Sequence, residues 1–142
     1  LVVHEKLYLF DAGVFRSLRP TGAIDRPAEI DGAALEGLVA QHLRAWCDYR
    51  GRGDTVSYWR TRSGVEVDFV VYGRSGLWAL DVMNAADVRP ADLRGLRSFT
   101  EDYPEAKGIL LYRGRERLRL GAVLCVPVDE WLSGLRPRTL IA

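Results

Sequence analysis

Between residues 55 and 83 three β-type runs follow one another with only short glycine-bearing breaks, and no other stretch constrains the chain as strongly. The runs cover residues 55–62, 65–72 and 77–83, separated by Ser63-Gly64 and by Gly73-Arg74-Ser75-Gly76. Breaks this short join antiparallel neighbours, because a parallel pair needs a crossover of about a dozen residues or more. In Val65-Glu66-Val67-Asp68-Phe69-Val70-Val71 a two-residue period sends Val65, Val67, Phe69 and Val71 to one face, and Glu66 and Asp68 to the other. The same rule divides the third run into Leu77, Ala79, Asp81 and Met83 against Trp78, Leu80 and Val82. If Tyr72 pairs with Leu77 across the four-residue break, Asp68 stands opposite Asp81, with Cβ atoms roughly 4.5–5.5 Å apart.

Helical periodicity flanks these hairpins. Over residues 33–49, Leu35, Leu38, Val39, Leu43, Trp46 and Cys47 recur at three- and four-residue spacing, and Gly51 and Gly53 mark the end. Residues 90–103 place Leu93, Leu96, Phe99 and Tyr103 at helical spacing between Pro90 and Pro104. Residues 108–112 read as a buried strand, 113–119 as an arginine-rich turn, 120–126 as a strand and 128–135 as a short amphipathic helix. Residues 1–32 read as an opening segment and loop, with a strand or turn at 7–10, ahead of a core at 33–135. A chain of 142 residues suits a single domain that buries about 68–70% of its unfolded surface. The order predicts a layered α/β (α+β) fold, a mixed β-sheet flanked by helices.

A formal net charge of +1 argues against a wholesale polyanion binder and leaves room for a local basic patch. Cys47 and Cys125 lack any metal or redox spacing and read as two reduced, buried thiols of a cytoplasmic protein. There is no apolar run of about 18 residues and no basic-then-apolar start, so neither a membrane span nor a signal peptide is expected. The chain opens at Leu1 and its one methionine is Met83, as expected either of a removed or mis-called initiator or of a piece of a longer polypeptide, the fragment of a longer ATPase being the expectation carried forward.

Two like charges opposed in a sheet are destabilising, so Asp68 and Asp81 call for a compensating partner. A hard divalent cation such as Mg²⁺ is one, since carboxylate oxygens are its usual protein ligands. Glu36, about 70° from the centre of the first helix's apolar stripe, is a third candidate ligand. The plainer reading stands beside this one: Asp68 solvated on an open sheet face, Asp81 a strand-end residue, Glu36 a boundary residue.

The segment from Tyr58 to Val70, followed by Leu77-Trp78-Ala79-Leu80-Asp81-Val82, resembles a C-terminal domain of unknown function that follows the ATPase module of prokaryotic AAA-type ATPases. Lys6-Leu7-Tyr8-Leu9-Phe10-Asp11-Ala12-Gly13-Val14, Leu35-Glu36-Gly37-Leu38-Val39 and Tyr103-Pro104-Glu105-Ala106-Lys107-Gly108 fit the same pattern, so the likeness covers nearly the whole chain. That domain is itself similar to the PD-(D/E)XK (restriction-endonuclease-like) nuclease superfamily. The resemblance implies Glu36 as the helix acid, Asp68 as the strand aspartate and Asp81 as the acid of the (D/E)XK signature. It also implies an upstream AAA-type ATPase module as partner, with DNA as a further candidate.

The signature's lysine should stand two residues after Asp81, where this chain has Met83. In a metal-dependent phosphodiesterase that lysine orients the attacking water and neutralises developing charge, and methionine does neither. Losing one such contact typically lowers the rate on the order of 10²–10³-fold. The chain has only two lysines, Lys6 and Lys107, both at family positions outside the signature, which leaves Arg94 or Arg97 as candidate substitutes. Arg60, Arg94, Arg97, Arg115 and Arg117 are candidate phosphate contacts, with a solvated hairpin as the plainer reading of the 113–119 run. His42 reads as a packed, hydrogen-bonded histidine. No G-x-x-x-x-G-K-[ST] motif occurs, so neither nucleotide binding nor ATP hydrolysis is expected of this chain. The expectation is a nuclease-like interaction module with a degenerate site. The alternative is an active Mg²⁺-dependent DNA endonuclease with a relocated cation.

Overall fold

A computed structural model describes residues 6–19 and 21–142, so residues 1–5 and 20 of the opening segment lie outside the described residues. The strands are β1 (Thr55–Arg60), β2 (Glu66–Gly73), β3 (Gly76–Val82), β4 (Lys107–Tyr112), β5 (Leu118–Leu120) and β6 (Val123–Pro127). The helices are α1 (Ala12–Leu18), α2 (Pro27–Arg50), α3 (Arg94–Asp102) and α4 (Val128–Gly134), with a 3-10 turn at Pro90–Leu93 leading into α3. The strands form one mixed sheet in the order β1-β2-β3-β4-β6-β5. Pairs β1–β2, β2–β3 and β5–β6 are antiparallel, whereas β3–β4 and β4–β6 are parallel.

Helix α2 begins six residues before the expected start. Pro27 occupies its first turn, where a missing N–H costs nothing and a fixed φ favours the helix, so the proline opens a helix instead of marking a loop. Gly51 ends it at φ 60°, its N–H returning to the carbonyls of Cys47 and Asp48. The opening segment also contains α1, capped by Asp11, whose side chain accepts from the N–H groups of Gly13 and Val14. The strand expected at 120–126 is two strands, because Gly121 at φ 66° turns the chain between β5 and β6.

Two apolar clusters sandwich the sheet. Residues Leu35, Val39, Leu43 and Trp46 of α2 meet Phe69, Val71, Trp78, Leu80, Ile109 and Leu111, and α4 joins them through Val128 and Trp131. On the opposite face Leu93, Leu96 and Phe99 cover Val67, Val70, Ala79, Leu110 and Cys125. Strand β3 divides as its period predicts. Strand β2 does not: Val67 belongs to the α3 side, whereas Phe69 and Val71 belong to the α2 side. The register explains this, since Ser57 faces Val70 but Trp59 faces Val67, so β2 carries one extra residue here. Such a bulge inverts the two-residue alternation, and it falls at Asp68-Phe69.

Arg50 anchors the C-terminal end of α2. Its Nε lies 3.2 Å from Asp54 Oδ2, with the two side chains 4% and 0% exposed. Its guanidinium stacks 4.2 Å from the centroid of the Trp46 ring and donates to the carbonyls of Pro137 and Thr139 and to Ser75 Oγ. Asp54 Oδ1 is buried with no hydrogen-bond partner among the described residues, so Arg50 is the main compensation for that carboxylate. Arg50→Met is expected to lower the unfolding free energy by about 3–5 kcal/mol, the usual effect of stranding a buried charge. Urea denaturation checks this, and Arg50→Met combined with Asp54→Asn should recover part of the loss.

Candidate functional site

The bulge gives the β2–β3 hairpin an unusual final rung. The ladder runs from Gly73↔Gly76 through Tyr72↔Leu77, as expected, to Phe69↔Leu80. At the next position the Asp68 N–H donates to Asp81 Oδ1 at 2.9 Å, and the Val82 N–H donates to Asp68 Oδ2 at 2.9 Å. Asp68 and Asp81 thus stand at opposed positions, as the register predicts, each held by a backbone amide of the opposite strand, but they do not share one face as expected: Asp68 reaches the α2 side and Asp81 the α3 side. Asp81 reaches toward α3, which approaches so closely that a Cβ on Gly95 would sit 2.1 Å from the Glu66 carbonyl oxygen and 3.2 Å from Asp81 Oδ2.

Glu36 enters from α2, on the other face, and meets two residues that sequence reasoning placed outside the site. The Lys6 ammonium lies 3.4 Å from Glu36 Oε1 and 3.5 Å from Asp68 Oδ1, bridging helix and sheet. The Tyr8 phenol donates to Glu36 Oε1 at 2.5 Å, and its ring packs against Phe69 with centroids 5.7 Å apart. The cation at this cluster is Lys6, whereas Arg94 and Arg97 are exposed on α3. The signal available was scarcity, since Lys6 is one of two lysines, but no local pattern ties residue 6 to residues 36 and 68. Met83, two residues after Asp81, packs against the α3-side apolar cluster.

The electrostatics follow from this crowding. Burial and the Glu36 charge raise the Asp68 carboxyl to about 6, against the opposing pull of the Val82 amide and Lys6. Burial and the neighbouring Asp68 raise Asp81 to about 7, with the Asp68 amide and Lys6 again opposing. Burial disfavours the Lys6 ammonium, but Glu36, Asp68 and Glu66 outweigh it and hold its pKa above the ordinary value. Burial and the bond to Glu36 push the Tyr8 phenol far up, so it stays protonated as a donor.

These residues do not fit a metal as arranged. Asp68 Oδ2 and Asp81 Oδ1 are committed to backbone amides, and an ammonium stands between Glu36 and Asp68. Among the described residues no group of three or more His, Cys, Asp or Glu side chains is placed to hold a metal ion.

The remaining sequence candidates scatter. Arg60 pairs with Glu66 at 3.9 Å and Arg117 with Glu130 at 2.7 Å, and the 113–119 run is a largely exposed passage from β4 into the edge strand β5, not a hairpin, because β5 pairs with β6 and not with β4. Arg94, Arg97 and Arg115 are exposed. His42 donates through Nδ1 to the Leu38 carbonyl at 2.9 Å. Cys47 and Cys125 are free and buried, and burial lifts the Cys47 thiol to about 11, leaving no reactive thiolate. No helix among the described residues is long and apolar enough to cross a membrane.

A family model described as a domain of unknown function, DUF4143, matches residues 31–131, more than half of the chain. No curated protein and no solved structure matched the chain.

Raised carboxyl pKa values carry a sign for stability. An unfolded aspartate releases its proton near pH 3.9, whereas folded Asp68 and Asp81 keep theirs to about 6 and 7. Folded protein then binds more protons than unfolded across roughly pH 4–7, and the pair's contribution to stability falls as pH rises through that window. Asp81→Asn retains an oxygen for the Asp68 amide and removes the charge. It should raise Tm at pH 8 by several degrees relative to the parent and lose that advantage near pH 4.5. Thermal melts from pH 4.5 to 8.5 check this, and a pH-independent difference between the two proteins would refute the assignment.

Proposed function

We propose that this chain, which belongs to the DUF4143 family, is a PD-(D/E)XK nuclease-like domain without nuclease chemistry. On this reading it serves as a nucleic-acid or protein interaction module on a prokaryotic AAA-type ATPase polypeptide. The observation that carries the reading is the source of positive charge at the cluster. The resemblance assigns Asp68 and Asp81 as the strand acids, but the residue two positions after Asp81 is Met83, packed among apolar side chains. The only ammonium at the cluster among the described residues, that of Lys6, is engaged with Glu36 and Asp68 and sits where a metal would have to bind. A cluster neutralised from within has no polarising cation for a phosphoryl oxygen and no activated water. The attachment to an ATPase rests on the sequence resemblance.

For nucleic acid, the exposed Arg94 and Arg97 on α3 and Arg115 on the β4–β5 turn are the contacts least committed to carboxylates, with Arg60 and Arg117 already paired. Contacts of this kind go to phosphates and weaken steeply with salt.

One observation favours the second reading, an Mg²⁺-dependent DNA endonuclease with a relocated cation: Lys6 does supply an ammonium 3.5 Å from Asp68 Oδ1. Incubation with plasmid and oligonucleotide DNA in Mg²⁺ or Mn²⁺ separates the two. No cleavage above background is expected. Metal-dependent cleavage that disappears in both Asp68→Asn and Lys6→Gln would overturn the first reading and establish the second. With an inert parent, Met83→Lys tests whether that position is the whole defect, and no gain is expected while Lys6 remains in place.

A further inference from the structure

We propose that the outer edge of β5 docks an extended segment of a partner protein whose side chains alternate acidic and apolar. The inference rests on the interaction-module reading and deepens it, choosing protein over nucleic acid as the partner and giving that partner a place at the edge of the sheet opposite β1.

Among the described residues the sheet ends in two edge strands, β1 and β5. An edge strand carries a row of backbone N–H and C=O groups that an incoming strand can pair. The β1–β2 ladder is interrupted by the bulge, a device that blunts an edge. The β5–β6 ladder is regular, through Leu118↔Cys125, Arg119↔Leu124 and Leu120↔Val123. The two-residue period then puts Leu118 and Leu120 on the α3 face and Arg119 on the other. A hollow flanks the strand on each face. On the α3 side, about 350 Å³ is lined by Val88, Tyr112, Leu118 and Leu120, together with Arg115 and Glu116. On the opposite side, about 310 Å³ is lined by Trp78, Lys107, Arg119 and Leu124, with the Lys107 ammonium 5.9 Å from the centroid of the Trp78 ring. At the strand itself, one face is therefore apolar and the other cationic.

Charge selects the occupant. Of the arginines leading into β5, Arg113 is held by Asp129 and Arg117 by Glu130. Arg115, Arg119 and Lys107 have no carboxylate partner among the described residues. Opposed side chains are the unit of sheet stabilisation, so an added strand gains most from an acid across from Arg119 and apolar residues across from Leu118 and Leu120. A second copy of this chain does not meet that demand. Antiparallel pairing of β5 with itself over all three residues sets Arg119 against Arg119, and centring the pair on Leu118 sets Arg117 against Arg119. Like charges directly opposed destabilise a ladder. A phosphate backbone would meet the arginines, but it brings neither N–H groups for the edge carbonyls nor an apolar side chain for Leu118, which is 37% exposed. An extended peptide of alternating acidic and apolar residues supplies all of these.

Titration of the isotope-labelled full chain, followed by NMR, tests this with three probes: a blocked peptide of about ten residues alternating Glu and Val, its Lys–Val counterpart, and single-stranded DNA of about ten nucleotides. The Glu–Val peptide is expected to bind saturably, with amide shifts concentrated on β5 and the residues beside it. The Lys–Val peptide and the DNA should bind about tenfold more weakly or not at all, as a few reversed or missing cross-strand charge pairs require. Arg119→Glu, at an exposed position, should reverse the preference between the two peptides. Arg119→Gln should weaken the Glu–Val peptide without creating affinity for the Lys–Val one, and it keeps the test decisive if the charge reversal disturbs the strand. No saturable peptide binding, equal binding of both peptides, tighter binding of the DNA, or shifts centred away from β5 would each overturn the proposal. DNA cleavage by the parent bears on the non-cleaving reading alone, whereas failure of the Glu–Val peptide to bind bears on the β5 edge alone.

Discussion

Everything at this site depends on the last rung of one hairpin. Where β2 and β3 would exchange a further pair of backbone bonds, the Asp68 and Val82 amides instead donate to Asp81 and Asp68 carboxylates. That exchange satisfies backbone donors at the end of a ladder, where an unpaired N–H is costly. It also draws two carboxylates into a half-buried space, where burial and neighbouring charge raise the affinity of both for protons. Glu36 adds a third negative group from α2, and the Lys6 ammonium bridges it to Asp68. The chain thus meets the electrostatic demand of its own hairpin from its opening segment.

The bulge decides which face each group reaches. Without an extra residue in β2, Asp68 would point to the face opposite Phe69, as the simple alternation predicts. With it, Asp68 stays close enough to α2 to share Lys6 with Glu36, while Phe69 packs beside Tyr8 and Val67 crosses to the α3 layer. The close approach of α3 at Gly95 then fixes Asp81 on the other side, since a larger residue there would collide with the Glu66 carbonyl. The three acids therefore meet a single cation between two of them instead of forming a three-carboxylate cage.

Much of this was legible from residues alone. The Tyr72–Leu77 register, the opposed positions of Asp68 and Asp81, the partition of β3 and the helical faces of α2 and α3, apart from Leu38 and Tyr103, which are exposed, follow from periods of two and 3.6 and from short glycine-bearing breaks. The bulge was not legible, because Val-Asp-Phe-Val-Val is compatible with either parity and only the β1 partner shows the extra residue. The start of α2 was misread because proline signals both loops and first helical turns. The place of Lys6 depends on a contact thirty residues away in sequence, which no local pattern encodes.

That the bridging residue is a lysine, in a chain with eighteen arginines, is physically apt. Arginine presents a flat fork suited to both oxygens of one carboxylate, whereas an ammonium is a compact point charge with three rotatable donors on a flexible stem. The gap here lies between single oxygens of two different carboxylates, Oε1 of Glu36 and Oδ1 of Asp68. A small, nearly spherical charge bridges it. An arginine at position 6 would bring a larger, planar fork to the same gap.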